Sequence, residues 1–238
     1  MKKSSVLLII FGVIISGWFI IFEVLCASAV VDISNGKPSK YGFPVRDRDH
    51  SPGPGSSPPI QLKSFRRLEI QGRNKVSVIL QKGKGYSMML DYQQVKTTRW
   101  WYDNDRLVLE VTGGLKGRNS LDVVITVPGL ESVTGYYLSD LTLEGFDQST
   151  LNLSVFDVFS LILKDNRIGT LLLNNRDAGH DKVVTINKNN RFDSLDLIIR
   201  GAGTLHLHTA GQRFNHSALS DSLEIYSDID ILRKLGLR

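Results

Sequence analysis

Between Leu138 and Ile225 the chain repeats one small unit: an apolar residue, any residue, then an apolar residue. Leu141 and Leu143, Leu151 and Leu153, Leu161 and Leu163, and Leu171 and Leu173 recur at intervals of ten. Asn174 to Lys182 interrupts the register, as an insertion or a corner. The unit returns at Val184 and Ile186, Leu195 and Leu197, Leu205 and Leu207, and Leu223 and Ile225. Residues two apart share one face of a strand, so each pair points into a core. Strands this short and this evenly spaced predict stacked rungs that bury one another. Ten residues make one face and not a full coil, because a coil needs roughly twenty or more. The predicted fold class is all-β, a right-handed β-helix-like solenoid of short strands.

The alternation begins upstream, at Ile60. Leu68 and Ile70, then Val76, Val78 and Leu80, then Met88 and Leu90 carry it. Lys82-Gly83-Lys84-Gly85 reads as a turn. Arg99 to Tyr102 and Leu107 to Val111 flank Asp103-Asn104-Asp105, a hairpin turn whose residue types tolerate left-handed backbone. Leu121 to Val127 is a β-prone run stopped by Pro128-Gly129. No segment has the pattern of an amphipathic helix of three or more turns. Ile229 to Leu237 is expected to cap the stack as a short helix or strand, since an open end exposes both core and ladder.

The first 59 residues follow other rules. Lys2 and Lys3 precede an almost continuous apolar run from Val6 to Phe22, and Ala27-Ser28-Ala29 has the small-x-small form of a signal-peptidase site. Cleavage between Ala29 and Val30 is the expectation. The run exceeds the roughly 7–15 residues usual for a signal peptide and falls short of the roughly 20 that span a bilayer. An uncleaved anchor is therefore the alternative. In both cases the basic end stays in the cytoplasm and the rest is exported. Membrane contact is expected only through this segment. Leu25, not a small residue, precedes Cys26, which argues against lipoprotein processing. Residues 30–59, with Ser51-Pro52-Gly53-Pro54-Gly55-Ser56-Ser57-Pro58-Pro59, form a linker. Residues 60–238 form the β domain.

Composition narrows the chemistry. The 238 residues carry a formal net charge of +5, but Arg66, Lys82, Arg106, Lys164, Arg191 and Arg213 are scattered among acids. Nucleic-acid binders concentrate such charge on one face, so no nucleic-acid partner is expected. One cysteine allows neither an intrachain disulfide nor a cysteine-based zinc site. There is no nucleophile elbow, nucleotide-binding glycine loop or calcium-binding nonapeptide, and no cofactor is expected.

Three groups of side chains are candidates for a site. His206 and His208, two apart beside Leu205 and Leu207, point outward together and could share a metal with His180 or His216. The simpler reading, two exposed strand histidines, is preferred because no ligand spacing is fixed. Asp140, Asp147, Asp157 and Asp165, with Gly179-His180-Asp181, superficially resemble the carboxylate clusters of polysaccharide-cleaving β-helices. Asp is also simply a good corner residue, and no acid–base pair is set by spacing. Trp100-Trp101-Tyr102, with Tyr136 and Tyr137, offers the best ligand-facing hint. Trp100 and Tyr102 face one way on a strand, and Trp101 faces the other. An outward ring could stack on a sugar or a protein partner, or the group could cover an end of the stack.

Several segments together resemble the auto-transporter adhesin head GIN domain family. They are Phe65-Arg66-Arg67-Leu68-Glu69-Ile70-Gln71-Gly72, Val76-Ser77-Val78-Ile79-Leu80-Gln81-Lys82-Gly83 and Asp105-Arg106-Leu107-Val108-Leu109. Val123-Val124-Ile125-Thr126-Val127-Pro128-Gly129-Leu130 and Arg200-Gly201-Ala202-Gly203-Thr204-Leu205 complete the set. The resemblance covers most of Phe65 to Tyr226 and departs at Tyr136 and Tyr137, where the family often has small residues. It implies a β-helix-like domain in a bacterial cell envelope, in the periplasm, membrane-anchored or at the cell surface. It brings no catalytic residues. The expected function is adhesin-like binding or scaffolding, not catalysis, with an envelope protein or a surface glycan as partner. The alternatives are a carbohydrate-active enzyme on the same scaffold and a membrane-anchored envelope sensor.

Overall fold

A computed structural model describes residues 58–72, 76–90, 97–112, 121–178, 182–201, 203–209, 213–227 and 229–234. At 121–122, 177–178, 214–218, 229 and 234 only the backbone is described. All of these residues lie within one compact unit, Pro52–Arg238. The Ala29–Val30 junction, Cys26, the linker up to residue 57 and Gly179-His180-Asp181 lie outside the described residues. No described helix is long and apolar enough to cross a membrane.

The described chain is almost entirely strand. β1 (Ile60–Gln61), β2 (Arg67–Gly72), β3 (Val76–Lys82) and β4 (Ser87–Leu90) come first. β5 (Thr98–Asp103) and β6 (Arg106–Val111) form the expected antiparallel hairpin, with Asn104 left-handed at φ 56° in its turn. β7 (Leu121–Val127), β8 (Ser132–Tyr136), β9 (Asp140–Glu144), β10 (Asp147–Phe156) and β11 (Ser160–Lys164) follow. Then come β12 (Arg167–Ala178), β13 (Val183–Ile186), β14 (Arg191–Gly201), β15 (Gly203–Leu207), β16 (Arg213–Leu219) and β17 (Leu223–Ser227). A short helix, α1 (Ile229–Lys234), follows the last strand, and its Ile231 packs into the core.

The strands form two sheets. The first has the order β1-β4-β7-β3-β9-β11-β13-β15-β17 and the second β16-β14-β12-β10-β8-β2-β6-β5. From β8 onward, successive strands alternate between the sheets, and each pairs in parallel with the strand two places on. Ser132 faces Asn152, and Asp140 faces Ser160, so the chain returns to the same place every twenty residues. The ten-residue leucine spacing is thus half a circuit: Leu141 aligns with Leu161 in one sheet, Leu151 with Leu171 in the other. Inward positions of both sheets feed one apolar core, in which the leucine pairs from Leu141 to Leu207 are buried.

Asn174 to Lys182 lengthens the circuit. β12 runs on to Ala178 with a register shift after Asn175, and Ser160 faces Val183 rather than a residue twenty positions on. At the other end the order is not sequential. β2 lies between β6 and β8, and β3 between β7 and β9. Antiparallel strands finish this end, β5 on β6, and β4 with β1 on β7. They occupy ladder edges that would otherwise invite further pairing.

Candidate functional site

The outward side of the second sheet gathers the most varied chemistry. In β2, Leu68 and Ile70 point into the core, so Glu69 and Gln71 point out. In β8, Val133 and Gly135 take the inward positions, which leaves Thr134 and Tyr136 outside. Strand register then aligns a row across the sheet: Arg99, Glu110, Gln71, Tyr136, Phe156 and Arg176. Tyr136 and Phe156 stack with centroids 4.8 Å apart and planes 13° from parallel. The Arg176 guanidinium sits 5.7 Å from the Phe156 ring centre, within cation–π range.

Phe156 covers one side of Tyr136. Toward Gln71, on its other side, lies an open groove of about 490 Å³ lined by Glu69, Gln71, Gly72, Glu110, Tyr136 and Tyr137. Glu69 accepts from Arg106 Nη1 at 2.9 Å and from Gln71 Nε2 at 2.7 Å. Arg106 also pairs with Asp103, the largest cause raising its pKa, with Glu69 adding to the effect. Glu110, in contrast, has no side-chain hydrogen bond or ion pair among the described residues.

Tyr137 closes the groove where the chain leaves β8. Its backbone is left-handed (φ 56°), its N–H donates to Phe156 O at 3.0 Å, and the residue is 54% exposed. A Cβ at position 72 would stand 2.7 Å from the Tyr137 carbonyl oxygen and 2.8 Å from Leu138 Cδ2. Gly72 therefore lets this corner pass close to β2.

The structure brings Tyr136 and Tyr137 together and puts Trp101 on the same side of the sheet but outside the groove. Trp101 lies on the outermost strand, β5, three strand spacings or about 14 Å from β8. It is 45% exposed, while Trp100 and Tyr102 turn inward against the core, as strand alternation requires. Phe156, Arg176, Glu69, Gln71 and Glu110 escaped the sequence reading. Two of them had a usable signal: Phe156 and Arg176 follow Tyr136 at steps of twenty, one circuit each.

His206 and His208 lie at β15 on the outward side of the other sheet. Their ring centroids are 6.3 Å apart, and His206 also stacks on Tyr226 at 5.2 Å. Partial burial, then the neighbouring His208, lowers the pKa of His206. Among the described residues no group of three or more His, Cys, Asp or Glu side chains could hold a metal. His180 lies outside the described residues, and His216 belongs to β16 in the opposite sheet.

The corner aspartates are engaged separately. Asp157 and Asp165 adopt left-handed backbone at φ 54° and 55°. Asp157 also accepts from Lys182, and Asp140 accepts from Ser77 Oγ at 2.6 Å. Asp147 faces Lys82 at 3.9 Å. Asp140 and Asp147 open β9 and β10, Asp157 and Asp165 sit in turns, and the four do not converge on one site.

Fold and site together define an all-β protein of two sheets with a ligand-sized groove on one open wall. No family model matches the chain, and no curated protein matches it. Among solved structures, the chain is similar to one described as a "putative adhesin" from Parabacteroides merdae, at 15% identity and a TM-score of 0.46. That match covers 65% of this chain and 65% of the other. A second "putative adhesin", from Bacteroides fragilis, shares 14% identity over 72% of this chain and 93% of that one, with a TM-score of 0.42. A third, from Parabacteroides distasonis, shares 13% identity over 72% and 77%, with a TM-score of 0.44.

Proposed function

We propose that this chain is an exported bacterial envelope protein of the head GIN type whose β domain is a binding module. In this reading the twenty-residue circuits are the coils of a flattened, right-handed solenoid, and the outward wall of the second sheet is the working surface. The observation that carries the reading is the Tyr136–Phe156–Arg176 stack bordering an open groove. Aromatic faces and guanidinium planes are good partners for sugar rings and for protein side chains. Flat ladder-bonded walls bind through such rows and not through deep pockets. The partner is an envelope protein or a surface glycan.

The test is a screen of the exported chain against envelope glycans and envelope proteins, followed by the Tyr136→Leu and Phe156→Leu variants. Loss of about tenfold in affinity with retained β-sheet circular dichroism is expected for each, consistent with removal of a stacking platform. Unchanged binding in both variants would remove the wall from the function. Edman sequencing of the mature protein tests export: a start at Val30 supports cleavage, and an intact Met1 supports the anchored form.

One observation favours a second reading, an enzyme acting on carbohydrate: Glu69 and Glu110 share the groove. An acid and a base are the minimum for glycoside cleavage. Release of reducing ends from an envelope polysaccharide, abolished in Glu110→Gln, would replace the binding reading with this one.

A further inference from the structure

We propose that the groove beside Tyr136 is a site for an organic ammonium group. This deepens the wall-binding reading and rests on it. The lining is two carboxylates, one amide, one glycine and two tyrosines, with no basic side chain. Arg106 offsets the charge of Glu69. Glu110 keeps its own, since nothing among the described residues pairs with its carboxylate. Arg99 is opposite Glu110 by register on β5, but its side chain forms no ion pair among the described residues. The groove's own lining therefore carries net negative charge beside two tyrosine side chains, with Arg99 one strand further out.

Each alternative ligand fits less well. An anion would meet unbalanced carboxylate. A neutral sugar could donate hydroxyl hydrogen bonds to Glu110 but would leave its charge without a counterion in the groove. A hard metal ion needs several oxygen or nitrogen ligands at once, and no such group of side chains exists among the described residues. An ammonium carried on carbon satisfies both parts of the lining: its charge meets Glu110, and its carbon-bound hydrogens meet an aromatic face.

Tyr137 supplies an independent observation. The chain uses left-handed backbone at four corners of consecutive circuits: Tyr137, Gly145, Asp157 and Asp165. Glycine and aspartate are suited to that conformation, whereas a bulky aromatic residue is strained in it. The Tyr137 ring stacks on no other ring among the described residues, and it is more than half exposed. Internal packing does not account for a tyrosine there, but a ligand lying against the ring would.

The ammonium could belong to a lysine side chain, an amino sugar or a free amine. Isothermal titration of the full chain against acetyl-Gly-Lys-Gly-amide, glucosamine, N-acetylglucosamine and choline distinguishes them. We expect one or more of the three cationic probes to bind and N-acetylglucosamine, which lacks the charge, to bind at least about fivefold more weakly than the best of them. Glu110→Gln and Tyr137→Asn should each weaken the cationic probe by about fivefold or more. Asn keeps the left-handed corner, so the second variant stays folded. A preference for the lysyl peptide indicates a protein amine, and a preference for glucosamine indicates an amino sugar. No binding by any of the three cationic probes, N-acetylglucosamine binding as tightly as the best cationic probe, or cationic binding indifferent to Glu110→Gln overturns the ammonium site. If neutral glycans still bind through Tyr136 and Phe156, the wall reading survives that result. If binding is insensitive to those two residues as well, both readings fail.

Discussion

The two long edges of this fold make the same turn with opposite interiors. At one edge the chain passes from the second sheet to the first through Tyr137-Leu138 and, one circuit later, Asp157-Val158. A left-handed residue is followed by a buried apolar one. At the other edge it passes back through Gly145-Phe146 and Asp165-Asn166, and later through Asn190. Here the buried position changes from apolar to polar: Phe146, Asn166 and Asn190 are all sealed from solvent. Asn166 donates to Leu143 O at 3.0 Å and to Asn190 Oδ1 at 2.9 Å, and its own Oδ1 accepts from Phe146 N at 3.0 Å. Asn190 repeats the arrangement one circuit on, donating to Leu163 O at 2.7 Å, while Thr209 Oγ1 donates to its carbonyl at 3.1 Å. Each amide satisfies backbone groups that the turn leaves over, as burial demands. This edge is internally complete. The Tyr137 edge holds a strained backbone and an exposed ring, the feature on which the proposed ligand site rests.

The asparagine edge should show the largest effect when broken. Asn166→Ala leaves the Phe146 N–H without its partner and takes one donor each from the Leu143 carbonyl and Asn190 Oδ1 in a dry interior, a loss of about 3 kcal/mol. For a domain of this size that lowers the melting temperature by about 10 °C. A thermal melt superimposing on wild type would mean that this edge is not held by its polar ladder. Gly72→Ala attacks the other edge through crowding. The new methyl meets the Tyr137 carbonyl oxygen, and a destabilisation of about 2 kcal/mol is expected in urea titration.

Tyr137→Asn sharpens the contrast in the opposite direction. Relief of left-handed strain should raise stability by about 1 kcal/mol while binding falls. A stability loss would show that the ring serves the fold. The smallest effect belongs to neither edge. The pKa of His206 lies below its ordinary 6.5 in the folded chain, first through burial and then through His208. The unfolded chain therefore takes up the proton first as pH falls. The stability from this group is present above the unfolded pKa and is lost as pH drops from about 6.5 toward the folded value. Chemical denaturation of wild type and His206→Gln at about pH 7.5 and about pH 5.5 should show a slightly smaller loss in the variant. An equal loss would assign the slope to other groups.

Much of the core was legible from the chain alone. Apolar residues two apart can only share a strand face, so the inward set from Leu68 to Leu207 follows from alternation and hydrophobic burial. The hairpin at Asp103-Asn104-Asp105 followed from residues that accept left-handed backbone. The aromatic segment Trp100 to Tyr102 was correctly split between core and solvent by the same period of two.

Other features needed the third dimension. Alternation says which side of a strand is buried, but not which strand lies beside it. Placing β6 and β7 outside β2 and β3, against chain order, brings Glu110 next to Gln71 and so creates the groove. Asn166 and Asn190, each followed by arginine and an apolar residue, look like ordinary loop asparagines in sequence. Only the stacking of circuits seals them from water and turns them into a ladder. Periodicity depends on local backbone geometry, which the chain itself carries. Lateral register and burial at corners depend on contacts between residues that sequence keeps far apart, and these exist only once the circuits are stacked.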